Sequence, residues 1–186
     1  WSLPGPDQGA LAMVVGESQL RRIPIAPAEE NKDAWSLSLR IDPGGLSGDA
    51  VLTATGQRAR RIRLEIESDQ TRKQKADERL RTVLSGGNFS AIETAGLRPA
   101  LDPVRLEGTL SLNPRITRVE QMTVGLKPWA LVERWASTAT RSEPLVRAYA
   151  HEHSVNYTLI STTSAPKTPV NRRLESPFGT FTIQSK

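Results

Sequence analysis

His151-Glu152-His153 sets two imidazoles two residues apart, and in a strand both rings would point to one face, as two ligands of a tetrahedral metal site require. Such a site needs at least a third protein ligand, and the sequence holds no other histidine and no cysteine. Tyr149, Val155 and Tyr157 fall on the same strand phase, so an ordinary strand face is the stronger reading. His151 and His153 remain a weak metal candidate. The absence of cysteine also removes thiol nucleophiles, thiolate metal sites and redox pairs.

The second chemical feature is charge. Arg58, Arg60, Arg61, Arg63, Arg72 and Lys73 lead an arginine-rich run that continues through Lys75, Arg79 and Arg81. Such a run could grip phosphates or an acidic partner. Glu65, Glu67, Asp69, Asp77 and Glu78 are interleaved with it, however, and no aromatic residue lies among them to stack on a base. A solvated helical surface with local ion pairs is the stronger reading, and nucleic acid is not expected as a partner.

The carboxylates offer no acid and base pair. Glu29-Glu30 sits in a polar linker, Asp42 and Asp102 precede prolines, and Glu65 and Glu67 belong to the charged run. No serine lies in a G-x-S-x-G elbow. Gly44-Gly45 and Gly48 are not followed by the Lys and Ser/Thr of a phosphate loop, so they read as a turn tip. Trp1, Trp35, Trp129 and Trp135 read as core or interface anchors. No catalytic residue and no cofactor are implied.

These residues must be held by mostly β structure. Leu11 to Val15 is a short apolar run between Gly9 and Gly16, and Ile23 to Pro27 alternates around two prolines, which suits an edge or a linker. Trp35, Leu37, Leu39 and Ile41 alternate with polar residues, then a Pro-Gly-Gly turn leads to a return strand from Ala50 to Thr55. In the charged run, Ala76, Leu80, Val83 and Leu84 follow helical spacing, with Ser68 or Asp69 as cap and Gly86 as stop. Its first half is ambiguous, because Ile62, Leu64 and Ile66 alternate like a strand while Ala59, Ile62 and Ile66 make a helical stripe. Two helices joined near Ser68 are expected.

Strand chemistry returns at Phe89 to Ala95, at Val104 to Leu112 and at Ile116 to Val124. Residues 128–137 read as a helical turn, the run ending at Ile160 alternates, and Leu174 to Ile183 closes the chain. At 186 residues the chain suits one domain able to bury about 70% of its unfolded surface. The net charge of +5 does not by itself separate a polyanion partner from a soluble face. The opening lacks a basic region followed by a long apolar core, and no stretch approaches about 18 uninterrupted apolar residues, so neither a signal peptide nor a membrane span is expected in it.

The order of features resembles a family. The chain opens LPGPDQGALAMVV after Trp1 and Ser2, and places an asparagine shortly after a proline-bearing strand, Pro27 to Asn31. A strand-turn-strand follows, then G-x-x-A-x-x-x-R as Gly56, Ala59 and Arg63, and later R-x-x-P-L as Arg141, Pro144 and Leu145. This is similar to the C-terminal region of bacterial transglutaminase-like proteins that carry a domain of unknown function before a papain-like transglutaminase core. The resemblance spans nearly the whole chain through short motifs. It implies a Cys, His and Asp triad upstream, Trp1 as the first residue past that core, and a secreted or periplasmic bacterial parent. No catalytic residue carries over, because no cysteine is present.

The resulting expectation is an α+β, mainly β fold, a β-sandwich-like antiparallel sheet with two helices inserted after the first hairpin. Residues 1–34 are expected as an extended arm docking on the domain, and 35–186 as one β-rich domain with its helical insertion at about 56–85. Functionally, a noncatalytic accessory module is expected, packing on the upstream transglutaminase-like core and shaping substrate access or binding polypeptide. Trp1, Leu3, Leu11, Met13 and Val15 are its docking candidates. The alternative is an independent module for a polyanion or acidic protein. Because Leu11, Met13, Val15, Ile23 and Ile25 are apolar, part of residues 10–26 is expected to pack on the β body, so that deleting the arm would lower the melting temperature.

Overall fold

The computed structural model describes residues 7–16, 18–42, 45–66, 68, 70–83, 87–98, 103–112, 150–161, 171–176 and 179–184. Trp1, Leu3, Leu84, Gly86, the expected strand at 116–124, the expected turn at 128–137 and the R-x-x-P-L residues lie outside them.

The alternation that begins at Trp35 belongs to a longer strand, β3 (Lys32–Asp42), which pairs antiparallel with β4 (Gly45–Ala54) from Asp33↔Ala54 to Asp42↔Gly45. One phase of β3, namely Asp33, Trp35, Leu37 and Leu39, is buried. The other phase carries Ser36, Ser38 and Arg40 to solvent. β5 (Asn88–Ala95) and β6 (Val104–Leu112) form a second antiparallel pair, and β6 joins β4. A bulge between Ser90 and Glu93, with Ala91 at φ 47°, bends β5 and spoils it as a regular edge. β7 (Glu152–Ser161) lies parallel to β3 on the other side, so the five-stranded order is β5-β6-β4-β3-β7.

Between β4 and β5 the chain forms α1 (Gly56–Glu65) and α2 (Arg72–Leu80). The ambiguity in the charged run resolves as helix. Ile62 and Ile66 are buried with Ala59, whereas Leu64 is 65% exposed, the opposite of what a strand phase would give. α2 is capped at Thr71, not at Ser68 or Asp69, and Thr71 makes no side-chain cap bond. Ala76, Leu80 and Val83 press α2 and its following turn onto the sheet. Gly108 on β6 makes this fit possible, since a Cβ there would lie 2.9 Å from the Leu80 Cδ1. Each fully buried leucine or isoleucine, such as Leu37, Leu52, Ile62, Leu106 and Leu110, contributes about 2 kcal/mol of transfer free energy.

The protein is therefore α+β and mainly β, with an antiparallel-dominated sheet. The sandwich part of the expectation is not confirmed: among the described residues, the buried side chains of the sheet cluster with those of α1 and α2. Two further hairpins stand as separate two-stranded sheets: β1 (Leu11–Met13) with β2 (Leu20–Arg22), and β8 (Asn171–Ser176) with β9 (Gly179–Gln184). β3 begins at Lys32, within the residues expected as the arm, and Asn31 and Asp33 are already buried.

Candidate functional site

Asp33 is the one acidic residue among the described residues whose side chain is buried, with 1% exposed. It occupies the same strand phase as Trp35 and Leu37, at the end of the sheet where β3, β7 and the start of α1 meet. Three elements supply its surroundings. From α1, Arg58 Nε donates to Asp33 Oδ2 at 2.9 Å, and Arg58 Nη2 donates to the same oxygen. From β7, His153 Nδ1 bonds Asp33 Oδ1, brought there by the parallel register that sets Asp33 beside His153. Burial is the largest single influence on the Asp33 carboxyl and raises its pKa. The His153 hydrogen bond, the Arg58 charge, the His153 charge and the Arg58 hydrogen bond together more than offset it, and hold the carboxyl below the ordinary aspartate range. An ionised carboxylate only accepts hydrogen bonds, which assigns the proton at this contact to His153 Nδ1.

Asn31, two residues earlier, ties the same three elements through uncharged bonds. Its Oδ1 accepts from the Gln57 backbone N–H at 2.9 Å, satisfying one of the free amides at the start of α1. Its Nδ2 donates to the Ala150 carbonyl at 3.2 Å, and its own carbonyl accepts from the Glu152 N–H at 3.2 Å, so the start of β7 is held twice. Gly56 permits the approach of α1: its φ is +55°, and a Cβ would lie 2.3 Å from the Glu30 carbonyl oxygen and 2.5 Å from Asn31 Oδ1. Ala59 is buried, and Arg63 Nε donates to the Gly96 carbonyl at 3.0 Å. The G-x-x-A-x-x-x-R pattern thus encodes how α1 seats on the sheet.

The expected anion-contact residues do not form one cationic surface. Arg58 is turned in to Asp33, Arg63 is bound to the Gly96 carbonyl, and Arg61 pairs with Glu65 at 2.9 Å. Arg72 is half-buried, while Arg60 and Lys73 are exposed. Arg79 faces Glu65 at 3.9 Å; burial lowers its pKa from the ordinary arginine value, against the pull of that carboxylate. Lys75 with Glu78 and Arg81 with Asp77 complete an alternating surface, as the interleaved acids suggested.

The histidine pair behaves differently from a two-ligand face. His151 precedes β7, and His153 is drawn to Asp33. Among the described residues, no three His, Asp or Glu side chains are grouped as a metal site. Asn31 enters the sequence analysis only as part of the motif order and Asp33 not at all, yet a signal is present: extending the Trp35-Leu37-Leu39 alternation back by one period puts Asp33 in core phase, and a buried acid demands a cation nearby.

The N-terminal hairpin carries the other anomaly. Leu11 is 58% exposed, Met13 78%, Val15 101% and Ile25 60%, so these side chains are not packed on the β body as the sequence reading expected. The bonds that shape the arm run within it: Gly9 N–H to the Ile23 carbonyl, Ile23 N–H to the Ala10 carbonyl, Arg22 Nη1 to the Gly9 carbonyl, and Ala26 N–H to Gln8 Oε1. A two-stranded ribbon can satisfy its backbone in this way without burying either face. No helix among the described residues is long and apolar enough to cross a membrane. Comparison of the chain with protein-family models, curated protein sequences and solved structures finds no match.

Proposed function

We propose that the chain is a noncatalytic accessory module of a bacterial, secreted or periplasmic transglutaminase-like protein, which docks on the catalytic core through its N-terminal hairpin and there shapes access of polypeptide substrate. The partner follows from the motif order given above. The single observation that supports a docking role is the exposure of Leu11, Met13, Val15 and Ile25 on and around one short hairpin, since grouped exposed apolar side chains are a mark of an interaction surface. The polar cluster at Asp33 has the character of a structural clamp, because its two partners, Arg58 and His153, come from the elements it joins and engage both carboxylate oxygens. The polyanion alternative draws less support: of its six candidate residues, Arg58, Arg61 and Arg63 are engaged by groups of the chain itself.

The test begins with the coding sequence upstream of Trp1. A Cys, His and Asp core in the same frame, and binding of the separately produced core by this chain in titration calorimetry, are the expected results. A natural start codon at this position, or a core that ignores the chain, would overturn the reading. Purified chain alone is expected to show no transamidation or proteolysis of casein.

A further inference from the structure

The two edges of the five-stranded sheet are attached in different ways. β5 is antiparallel, carries a bulge, and lies under α2 through Phe89 and Leu80. β7 is parallel, pairs along one side with β3 from Lys32↔Glu152 to Ile41↔Ser161, and is remote from it in sequence. Its burial is uneven. Residues 151–155 are half-buried and Val155 touches the core, whereas Asn156, Thr158, Leu159 and Ile160 are exposed, the last two at 42% and 50%. Among the described residues, little apolar burial holds the second half of the strand, and parallel pairing is slightly weaker per residue than antiparallel. Among the described residues, the polar contacts to β7 that add to its ladder with β3 lie at its start: Asn31 to Ala150 and Glu152, the exposed Lys32–Glu152 pair at 2.9 Å, and the part-buried His153–Asp33 bond.

We infer that β7 is a separately releasable strand and that the His153–Asp33 bond is the latch that keeps it on the sheet. The antiparallel body β5-β6-β4-β3 does not need β7 for its core, since the buried cluster is drawn from β3, β4, β6, the two helices and the turn after α2. Asp33 keeps its Arg58 partner when β7 leaves, so opening the latch does not strand an unpaired buried carboxylate. Among the described residues, Arg58 from α1, His153 from β7 and the more distant Arg79 from α2 are the charged or titratable groups that act on it. Local opening of this kind is the behaviour of a segment with few buried contacts and an exposed ladder.

Hydrogen–deuterium exchange on the full chain at neutral pH tests this, read by mass spectrometry on peptides from β7, β4 and β6. In the unaltered protein, β7 amides are expected to be protected at least about tenfold less than those of β4 and β6. His153→Gln should lower β7 protection by about a further tenfold and leave β4 and β6 unchanged, as loss of a hydrogen bond to a charged group predicts. Lys32→Ala, which removes only the exposed pair, should leave all three unchanged. Exchange of β7 in step with β4 and β6 would overturn the inference. So would a β7 indifferent to His153→Gln, a Lys32→Ala chain as open as the His153 variant, or a His153→Gln chain that fails to fold, because the strand would then belong to the global unit.

Discussion

At the start of β3 an aspartate with 1% of its side chain exposed lies between an arginine and a histidine, whereas on the β1–β2 hairpin Met13 and Val15 stand 78% and 101% exposed. The first region buries charge and the second exposes apolar surface, and each departs from the usual distribution in a way that needs a cause. For Asp33 the cause is internal: Arg58 and His153 replace its water and join α1 and β7 to β3. On the hairpin, the backbone bonds from Gly9 to Ile23 close within the arm, while Leu11, Met13, Val15 and Ile25 stay exposed. The first region joins three elements of the fold, and the second is the surface on which the docking proposal rests.

That division is sharpened first where the expected effect is largest. Arg58→Ala leaves the Asp33 carboxylate buried beside His153 alone, and should cost about 3–5 kcal/mol of unfolding free energy in a urea titration. A cost below about 1 kcal/mol would move the clamp to the surface class of ion pair. Gly56→Ala comes next, because it forces a positive-φ alanine against the Glu30 carbonyl and Asn31 Oδ1, and should cost roughly 1–3 kcal/mol in the same titration. The pH dependence follows from the lowered Asp33 pKa. A carboxyl held lower in the folded than in the unfolded chain contributes stability above its unfolded pKa of about 4, and loses it as pH falls through the folded value. Urea midpoints should therefore fall as pH drops from 5 through and below the ordinary aspartate range, with Asp33→Asn flattening that fall. Smallest is Arg61→Ala on the outer face of α1, where the pair with Glu65 is exposed at 48% and 38%; its removal should change stability by less than about 0.5 kcal/mol.

The contrast between Arg58 and Arg61 also marks how far the sequence could be read. Both sit in one arginine-rich run with identical local chemistry, and only the fold separates them. The β3–β4 hairpin was legible because alternation from Trp35 to Ile41 and a Pro-Gly-Gly turn agree with each other. α1 was half legible, since its stripe fitted two periods until the exposure of Leu64 chose one. The parallel placement of β7 was not legible, because residues 120 positions apart are paired by packing and by Asp33, not by any local turn. The clamp is hidden from the sequence because the apolar alternation starts at Trp35, three residues after β3 itself begins at Lys32, and Asn31 and Asp33 are polar. On the arm, hydrophobic composition was legible but its destination was not, since the same Leu11, Met13 and Val15 serve equally for an internal face or an external one.

One variant separates those two destinations directly. Met13→Asp with Val15→Asp places charge on the hairpin, where both side chains are exposed. If the hairpin is a docking surface, the melting temperature of the isolated chain should stay within about 2 °C of the unaltered protein, as exposed substitutions normally do. Affinity for the proposed transglutaminase-like partner core should meanwhile fall by about 30-fold or more, the loss typical of a buried interface anchor. A variant that melts well below the unaltered chain, or binds the core as tightly as before, would contradict the account.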